Sequence, residues 1–214
     1  MNPIAVSVVT ATWNERETLP ELIQQIHKAL MSLDHEIIIV DEGSLDGTYA
    51  IAVDIADQVI CQRRGDQSIG LLTGLRRAIY PVVVTIDADL ENDPAVIPVL
   101  LAKLEEGYDL VVASRNSKLP RWSERVFSAT VGRRIGVTDV LSNFRAIRTD
   151  QAKAIELQKG ETFGAEFLIR AYKRGLRMAE ILVDPPPRRK HPRIGNTITA
   201  NFRILSALLR VLFI

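Results

Sequence analysis

Four carboxylates take every second position after an apolar run in "VVVTIDADLENDP": Asp87, Asp89, Glu91 and Asp93. Alternating acids at the end of an extended segment bring several oxygens within reach of one point. Hard divalent cations such as Mg²⁺ or Mn²⁺ need such oxygens, and share their coordination with substrate phosphates. A cation held between carboxylates and a diphosphate also stabilises the diphosphate as a leaving group. Asp93 precedes Pro94 and reads as a helix N-cap with proline at the first helical position. Asp87, Asp89 and Glu91 are therefore the expected metal ligands. The alternative is that they are loop acids with no ligand, since an isolated Asp-x-Asp is a weak signal.

A second group of residues is cationic. Arg115, Arg125, Arg133, Arg134 and Arg145 fall within a short span, and Arg188, Arg189, Lys190 and Arg193 in a proline-rich loop. Arginine suits bidentate contacts to phosphate. Arg133-Arg134 and Arg76-Arg77 read instead as solvated helix surface. The charge is unevenly spread: residues 1–162 carry 17 Lys/Arg and 23 Asp/Glu, residues 163–214 carry 10 and 3. An acidic body with a basic end suits an anionic partner. The net charge of +1 argues against a nucleic-acid binder.

The elements that must position these groups alternate. Strands are expected at "IAVSVVTAT", "HEIIIVD", "DQVICQ", "PVVVTID" and "YDLVVASR". Helices are expected at "TLPELIQQIHKAL", opened by a Thr18–Glu21 capping box, and at "SLDGTYAIAVDIA", "SIGLLTGLRRAIY" and "PAVIPVLLAKLEEG". Apolar strands alternating with helices predict an α/β fold, a Rossmann-like, mostly parallel sheet flanked by helices. Ligands in such sheets bind beyond the carboxyl ends of the strands. The polar clusters fall there: Thr12-Trp13-Asn14-Glu15, Asp41-Glu42, Asp87 to Glu91, and Ser114-Arg115. After residue 116 the pattern loosens, recovering as a helix at "FGAEFLIRAYKRGL" and a strand at "RMAEILVDP". Cys61, the lone cysteine, reads as a small core residue, and its isolation suits a reducing compartment. His27, His35 and His191 show no metal-ligand spacing. No signal peptide and no transmembrane helix are expected.

Taken together, "TATWNERETLPELI", "IIIVDEGSLDGT", "VVTIDADLENDP" and "SNFRAI" resemble family 2 of the glycosyltransferases, inverting nucleotide-sugar enzymes of the GT-A fold. The branch they are most similar to is that of the dolichyl-phosphate mannose synthases and other polyprenyl-phosphate glycosyltransferases. The resemblance spans about residues 4–195. It implies a catalytic domain over residues 1–195, followed by an amphipathic helix over 196–214, where Thr199, Arg203, Ser206 and Arg210 recur at helical spacing.

The same resemblance implies the site. Ala11, Thr12, Asn14 and Glu15 match the loop that holds the nucleotide, with Trp13 replacing its tyrosine. Asp41 matches the acid that contacts the base or ribose; Glu42 stands where a second aspartate is usual, and Asp87 joins the donor site. Asp89, Arg115 and Arg125 are the implied catalytic residues. Arg115, Arg125, Ser128, Ser142 and Arg145 are the implied acceptor-phosphate ligands, with Asn143 replacing a glycine; Arg193 joins them as part of the basic loop 188–193, whose charge could close over the phosphates. The implied reaction moves mannose from GDP-mannose to a dolichyl or other polyprenyl phosphate; UDP-glucose is the alternative donor.

A phosphate acceptor is already anionic near neutral pH and needs no base. Transfer to a saccharide hydroxyl would need one, with Asp139 or Glu166 as candidates. A non-catalytic sugar-nucleotide-binding subunit is the third reading. The lipid reading places the chain on the cytoplasmic face of a membrane. It binds there peripherally through its tail, or with a membrane-spanning partner; the alternative for the tail is a helix packed on the protein's own core or on another subunit.

Overall fold

A computed structural model describes residues 4–64, 67–116, 119, 121–157, 163–186, 201–202 and 204–206. Seven strands form one sheet: β1 (Val6–Thr12), β2 (His35–Asp41), β3 (Gln58–Cys61), β4 (Val82–Thr85), β5 (Leu110–Arg115), β6 (Arg145–Arg148) and β7 (Met178–Val183). Their order is β3-β2-β1-β4-β6-β5-β7. All pairings are parallel except those of β6, which runs antiparallel between β4 and β5. This is the mostly parallel, helix-flanked sheet that the alternating strands and helices predict.

The helices are α1 (Leu19–Ala29), α2 (Thr48–Ile55), α3 (Gln67–Arg77), α4 (Ile97–Glu105), α5 (Trp122–Phe127), α6 (Arg133–Ile135), α7 (Thr149–Lys153) and α8 (Phe163–Lys173). They cover both faces of the sheet. Alternate residues of β1 go to opposite cores: Val6 and Val8 pack with α1 and α4, while Val9 and Ala11 pack with α3 and α8. Such two-sided burial is what apolar parallel strands require. The approach of α3 depends on missing side chains. A Cβ on Gly70 would lie 2.9 Å from the Cβ of Ala11, and one on Gly74 would lie 2.4 Å from Cγ1 of Val9.

Three local expectations change. Thr18 does not cap α1 with its side chain; its hydroxyl donates to Oε2 of Glu15 at 2.7 Å. Cys61 is exposed, because β3 is the edge strand and its last residue faces outward. His27 and His35, far apart by ligand spacing, meet at the end of the sheet opposite the site, with Nδ1 of His27 2.8 Å from Nε2 of His35. Asp93 does cap its helix, accepting from the Ala95 amide at 2.9 Å. Strand β6 was not expected at all. Its sequence, "RAIR", is four residues long with an arginine at each end.

Candidate active site

The carboxyl ends of β1, β2, β4 and β5 lie on one edge of the sheet. The parallel register sets Thr12 opposite Asp41, and their side chains meet at 3.3 Å. Beyond β1 the chain turns sharply at Asn14, whose φ is 55°. Asn14 takes this left-handed conformation more readily than most residues. Its amide donates to Oγ of Ser44 at 2.9 Å, and its Oδ1 accepts from the Leu45 amide at 2.9 Å. The amide of Glu15 donates to Oγ1 of Thr48 at 2.8 Å. Asp41 accepts from the amides of Gly43 and Ser44 at 3.1 and 2.9 Å. The two loops implied to hold a nucleotide are thus fastened to each other. Ala11, Thr12, Glu15, Asp41 and Glu42 are buried beneath them, and Asn14 is half-buried. The Arg64 guanidinium sits over the Trp13 ring, 3.3 Å from its centroid, a cation–π contact at the rim of this region.

The acids follow β4. Asp87, Asp89 and Glu91 are half-buried. Leu90 between them has a φ of 61°, which costs a branched residue on the order of 1–3 kcal/mol. Burial of its side chain in the core beside α4 offsets that cost. The turn brings the Glu91 amide to Oδ1 of Asp89 at 3.0 Å. Asp87 is raised to about 7, first by burial and then by the neighbouring Asp89 charge. Two groups resist the shift: the Asn143 amide, donating to Oδ1 of Asp87 at 3.2 Å, and the Arg145 charge. All the donors here are oxygens, the kind a hard divalent cation takes. Among the described residues no three acid or histidine side chains form a closed ligand set. The oxygens are of the type a hard divalent cation takes, but Asp87, Asp89 and Glu91 are not gathered around one point as their spacing had suggested.

Antiparallel β6 delivers Ser142 to Arg145 between the acids and Arg115. Thr85 Oγ1 donates to the Asn143 carbonyl at 2.6 Å, and Ser142 Oγ donates to the Ala113 carbonyl at 2.7 Å. Arg145 is 1% exposed. It donates to the carbonyls of Gly164, at 3.1 Å, and Ser142. Burial pulls its pKa down, to about 9, while the Asp87 and Asp139 charges oppose the drop, so it is cationic at neutral pH. The structure buries Arg145 and half-buries Ser142, and neither lines the cleft that holds Arg115, Arg125 and Ser128.

Arg115, Arg125 and Ser128 come together in a cleft of about 560 Å³. Asp139 holds Arg115 bidentately, at 2.6 and 3.1 Å, and Glu124 lies 3.5 Å away. Burial lowers the Arg115 pKa, but the Asp139 hydrogen bond and the charges of Asp139, Glu124 and Glu91 outweigh it, and the net shift is upward. Ser128 to Gly132 wind as a π turn, a feature frequent at functional sites. Gly132 is required there, because a Cβ would lie 2.4 Å from the Val137 carbonyl oxygen. Arg133, expected as plain solvated surface, lines this cleft too, as does Glu180, which accepts from the Thr138 amide at 2.8 Å.

Sequence reading missed two roles. Asn143 appeared only as a departure from glycine, yet it is a partner of Asp87. Asp139 appeared only as a weak base, yet it clamps Arg115. Glu166, the other candidate base, is buried and paired with Arg170 at 2.7 Å. Arg193 and the loop around it lie outside the described residues. Of the expected tail helix, Asn201, Phe202 and 204–206 are described, and they are helical. Ile204 and Leu205 pack on the body's core, and Asn201 accepts from Oγ of Ser123 at 2.6 Å. Among the described residues no helix is long and apolar enough to cross a membrane.

Residues 7–176 match the family model "Glycosyl transferase family 2". Two curated relatives are undecaprenyl-phosphate 4-deoxy-4-formamido-L-arabinose transferases. That of Pseudomonas savastanoi pv. phaseolicola is 32% identical over 194 residues, covering 84% of this chain and 57% of its own. That of Enterobacter sp. (strain 638) is 37% identical over 142 residues, covering 62% and 43%. The chain spans about half the length of these relatives. Glucosyl-3-phosphoglycerate synthase from Mycobacterium tuberculosis, solved with phosphoglyceric acid, superposes with a TM-score of 0.82 at 24% identity, covering 99% of this chain and 81% of that one. The same protein with Mn²⁺, uridine diphosphate and glucosyl-3-phosphoglycerate gives 0.78 at 23%, with the same coverage. This likeness is one of fold. With the family match over most of the chain, it establishes that the protein is a GT-A-fold member of glycosyl transferase family 2.

Proposed function

We propose that the protein transfers a sugar from a nucleotide diphosphate sugar to a polyprenyl monophosphate, with inversion at the anomeric carbon. The observation that carries this reading is the pairing in the acceptor region. Arg115, Arg125 and Ser128 share one cleft beside the acid loop, while Asp139 and Glu166 are each engaged by an arginine. Arg115, Arg125 and Arg133 line the cleft, and both candidate bases are held in ion pairs, which supports an anionic acceptor that needs no base. A phosphate monoester is such an acceptor, being anionic near neutral pH. The names of the undecaprenyl-phosphate relatives support the same acceptor class.

In this mechanism the loops after β1 and β2 hold the nucleotide, with Thr12, Asn14, Glu15, Asp41 and Glu42 as their functional residues. Asp87, Asp89 and Glu91 would hold a Mg²⁺ or Mn²⁺ ion, which supplies charge neutralisation to the diphosphate. Arg115 and Arg125 orient the acceptor phosphate, with Ser128 donating a hydrogen bond. An acceptor oxygen attacks the anomeric carbon as the bond to the diphosphate breaks. An α-linked donor gives a β-linked product, and no proton has to move.

The donor favoured by the sequence resemblance is GDP-mannose; the relatives' names bring in formamido-arabinose, and UDP-glucose is the third candidate. The chain acts peripherally at the cytoplasmic face of a membrane.

The test is transfer of radiolabel from each donor to polyprenyl phosphate in detergent, with Mg²⁺ or Mn²⁺. Label should enter the organic phase with one donor, and Asp89→Ala should abolish it. Metal-dependent donor hydrolysis with no lipid product would overturn the acceptor and point to a saccharide hydroxyl.

A further inference from the structure

The histidines of the chain are His27, His35 and His191, and the fold brings the first two together. His27 lies in the last turn of α1, and His35 is the first residue of β2. Nδ1 of His27 stands 2.8 Å from Nε2 of His35, with the rings tilted by 54° and their centroids 5.1 Å apart. The rings thus meet through their nitrogens and do not stack. His35 turns its other nitrogen, Nδ1, to the Leu33 carbonyl at 2.8 Å. A carbonyl only accepts, so Nδ1 of His35 carries the proton and Nε2 presents a lone pair to His27. The turn that supplies this carbonyl is itself held. The Leu33 amide donates to the Leu30 carbonyl at 2.9 Å, and the Val6 amide to the Asp34 carbonyl at 2.9 Å.

The acid loop, the loops after β1 and β2 and the arginine cleft make no use of this pair. A metal-binding imidazole commonly donates its second N–H to a carbonyl, which fixes its tautomer and its ring. His35 already does so. His27 is exposed, so its Nδ1 proton can pass through water to its own Nε2, leaving a second lone pair beside the first. With bonds of about 2.0–2.1 Å, two nitrogens on one cation stand about 2.9 Å apart at a right angle and about 3.3 Å apart at the tetrahedral angle. The observed 2.8 Å is close to the right-angle spacing, the tetragonal geometry of Ni²⁺ and Cu²⁺. The carbonyl end of α1 also favours positive charge. Lys28 beside His27 and Asp34 beside His35 are both exposed and opposite in charge, so neither decides the site.

We infer that His27 and His35 form a two-nitrogen chelate for a borderline divalent transition cation, Ni²⁺ or Cu²⁺ in preference to Mg²⁺ or Mn²⁺, at the end of the sheet opposite the candidate active site. The cation replaces the proton that the two rings share and clips the end of α1 to the start of β2. Water fills its remaining coordination positions. This chelate depends on neither the donor nor the acceptor reading.

The experiment is calorimetric titration of the full chain with Ni²⁺ alone, paired with thermal unfolding. The unmodified chain should bind Ni²⁺ and gain Tm with it. His27→Gln and His35→Gln should each weaken binding by about tenfold or more and remove the gain, since losing even an outer-shell partner costs about that much. His27 is exposed, so its replacement tests the site without disturbing the core. His191→Gln and Cys61→Ser should leave binding in place, and so should Asp89→Ala, which separates this site from the acid loop. Binding no tighter than that of a chain carrying both glutamines overturns the inference. Full binding by either single variant also overturns it, because one imidazole then suffices. Binding lost with His191 or Cys61 does the same, since the ligands then lie elsewhere.

Discussion

Asp87 holds the most unusual charge state of the acid loop. Its ordinary value is 3.8 and burial with Asp89 beside it lifts it to about 7. The folded protein therefore binds a proton that the unfolded chain has released between about pH 4 and 7, so stability falls as pH rises through that window. In the presence of a chelator, urea unfolding should show a loss on the order of a few kcal/mol from about pH 5 to pH 8. Asn143→Gly removes a hydrogen bond that favours the carboxylate, and should deepen the loss. A flat profile for both proteins would show that Asp87 ionises freely.

Asp139 allows a sharper separation of mechanisms. It is 2% exposed and gives Arg115 both of its oxygens. Asp139→Asn keeps the shape and loses the charge. If Asp139 positions Arg115, the KM for polyprenyl phosphate should rise about tenfold while the donor KM holds. A base would instead show as a fall in kcat and the loss of one limb of the pH profile. The residue types in the acid loop and the arginine span were legible because their chemistry is written in their spacing. Their partners were not, since the Asn143–Asp87 and Asp139–Arg115 bonds join residues 56 and 24 positions apart.

At the scale of elements, the five strands before residue 116 and the helices between them follow from apolar periodicity, and all formed where they were expected. Strand β6 was hidden for a physical reason. It carries an arginine at each end where β4, of the same length, is almost wholly apolar, and its Arg145 is buried by partners supplied from elsewhere, the Gly164 and Ser142 carbonyls and the Asp87 and Asp139 charges. The π turn was equally silent in the sequence, because only its packing against Val137 reveals why Gly132 stands there. Gly132→Ala should force that backbone contact apart. It should lower Tm by roughly 5 °C and weaken acceptor binding more than donor binding, because Gly132 lines the cleft. Calorimetry paired with KM values for the two substrates would measure both. An unchanged Tm would mean that the 132–137 turn yields easily.

Across the whole molecule, the site is divided between two parts of the sheet edge. The loops proposed to hold the nucleotide follow β1 and β2, the acids follow β4, and the cleft arginines follow β5 and its helix. Antiparallel β6 joins the two halves, pairing with β4 on one side and β5 on the other. The acid side chains do not close around a point by themselves. A cation should then bind weakly alone and strongly once a nucleoside diphosphate fills the remaining coordination positions, and by linkage it should strengthen nucleotide binding equally. Thermal shift measurements test this directly. Mn²⁺ alone and nucleotide alone should each raise Tm little, and the pair together should raise it by more than their sum, with about 2.7 kcal/mol of stabilisation when the nucleotide is at a hundred times its Kd. Running UDP and GDP side by side with Mn²⁺ identifies the base that the β1 and β2 loops accept, before any sugar is assayed. Asp89→Ala should erase the extra shift while leaving the small metal-free nucleotide effect in place. If the metal and nucleotide effects only add, the acids and the diphosphate do not share an ion, and the leaving group must be neutralised by the arginines alone.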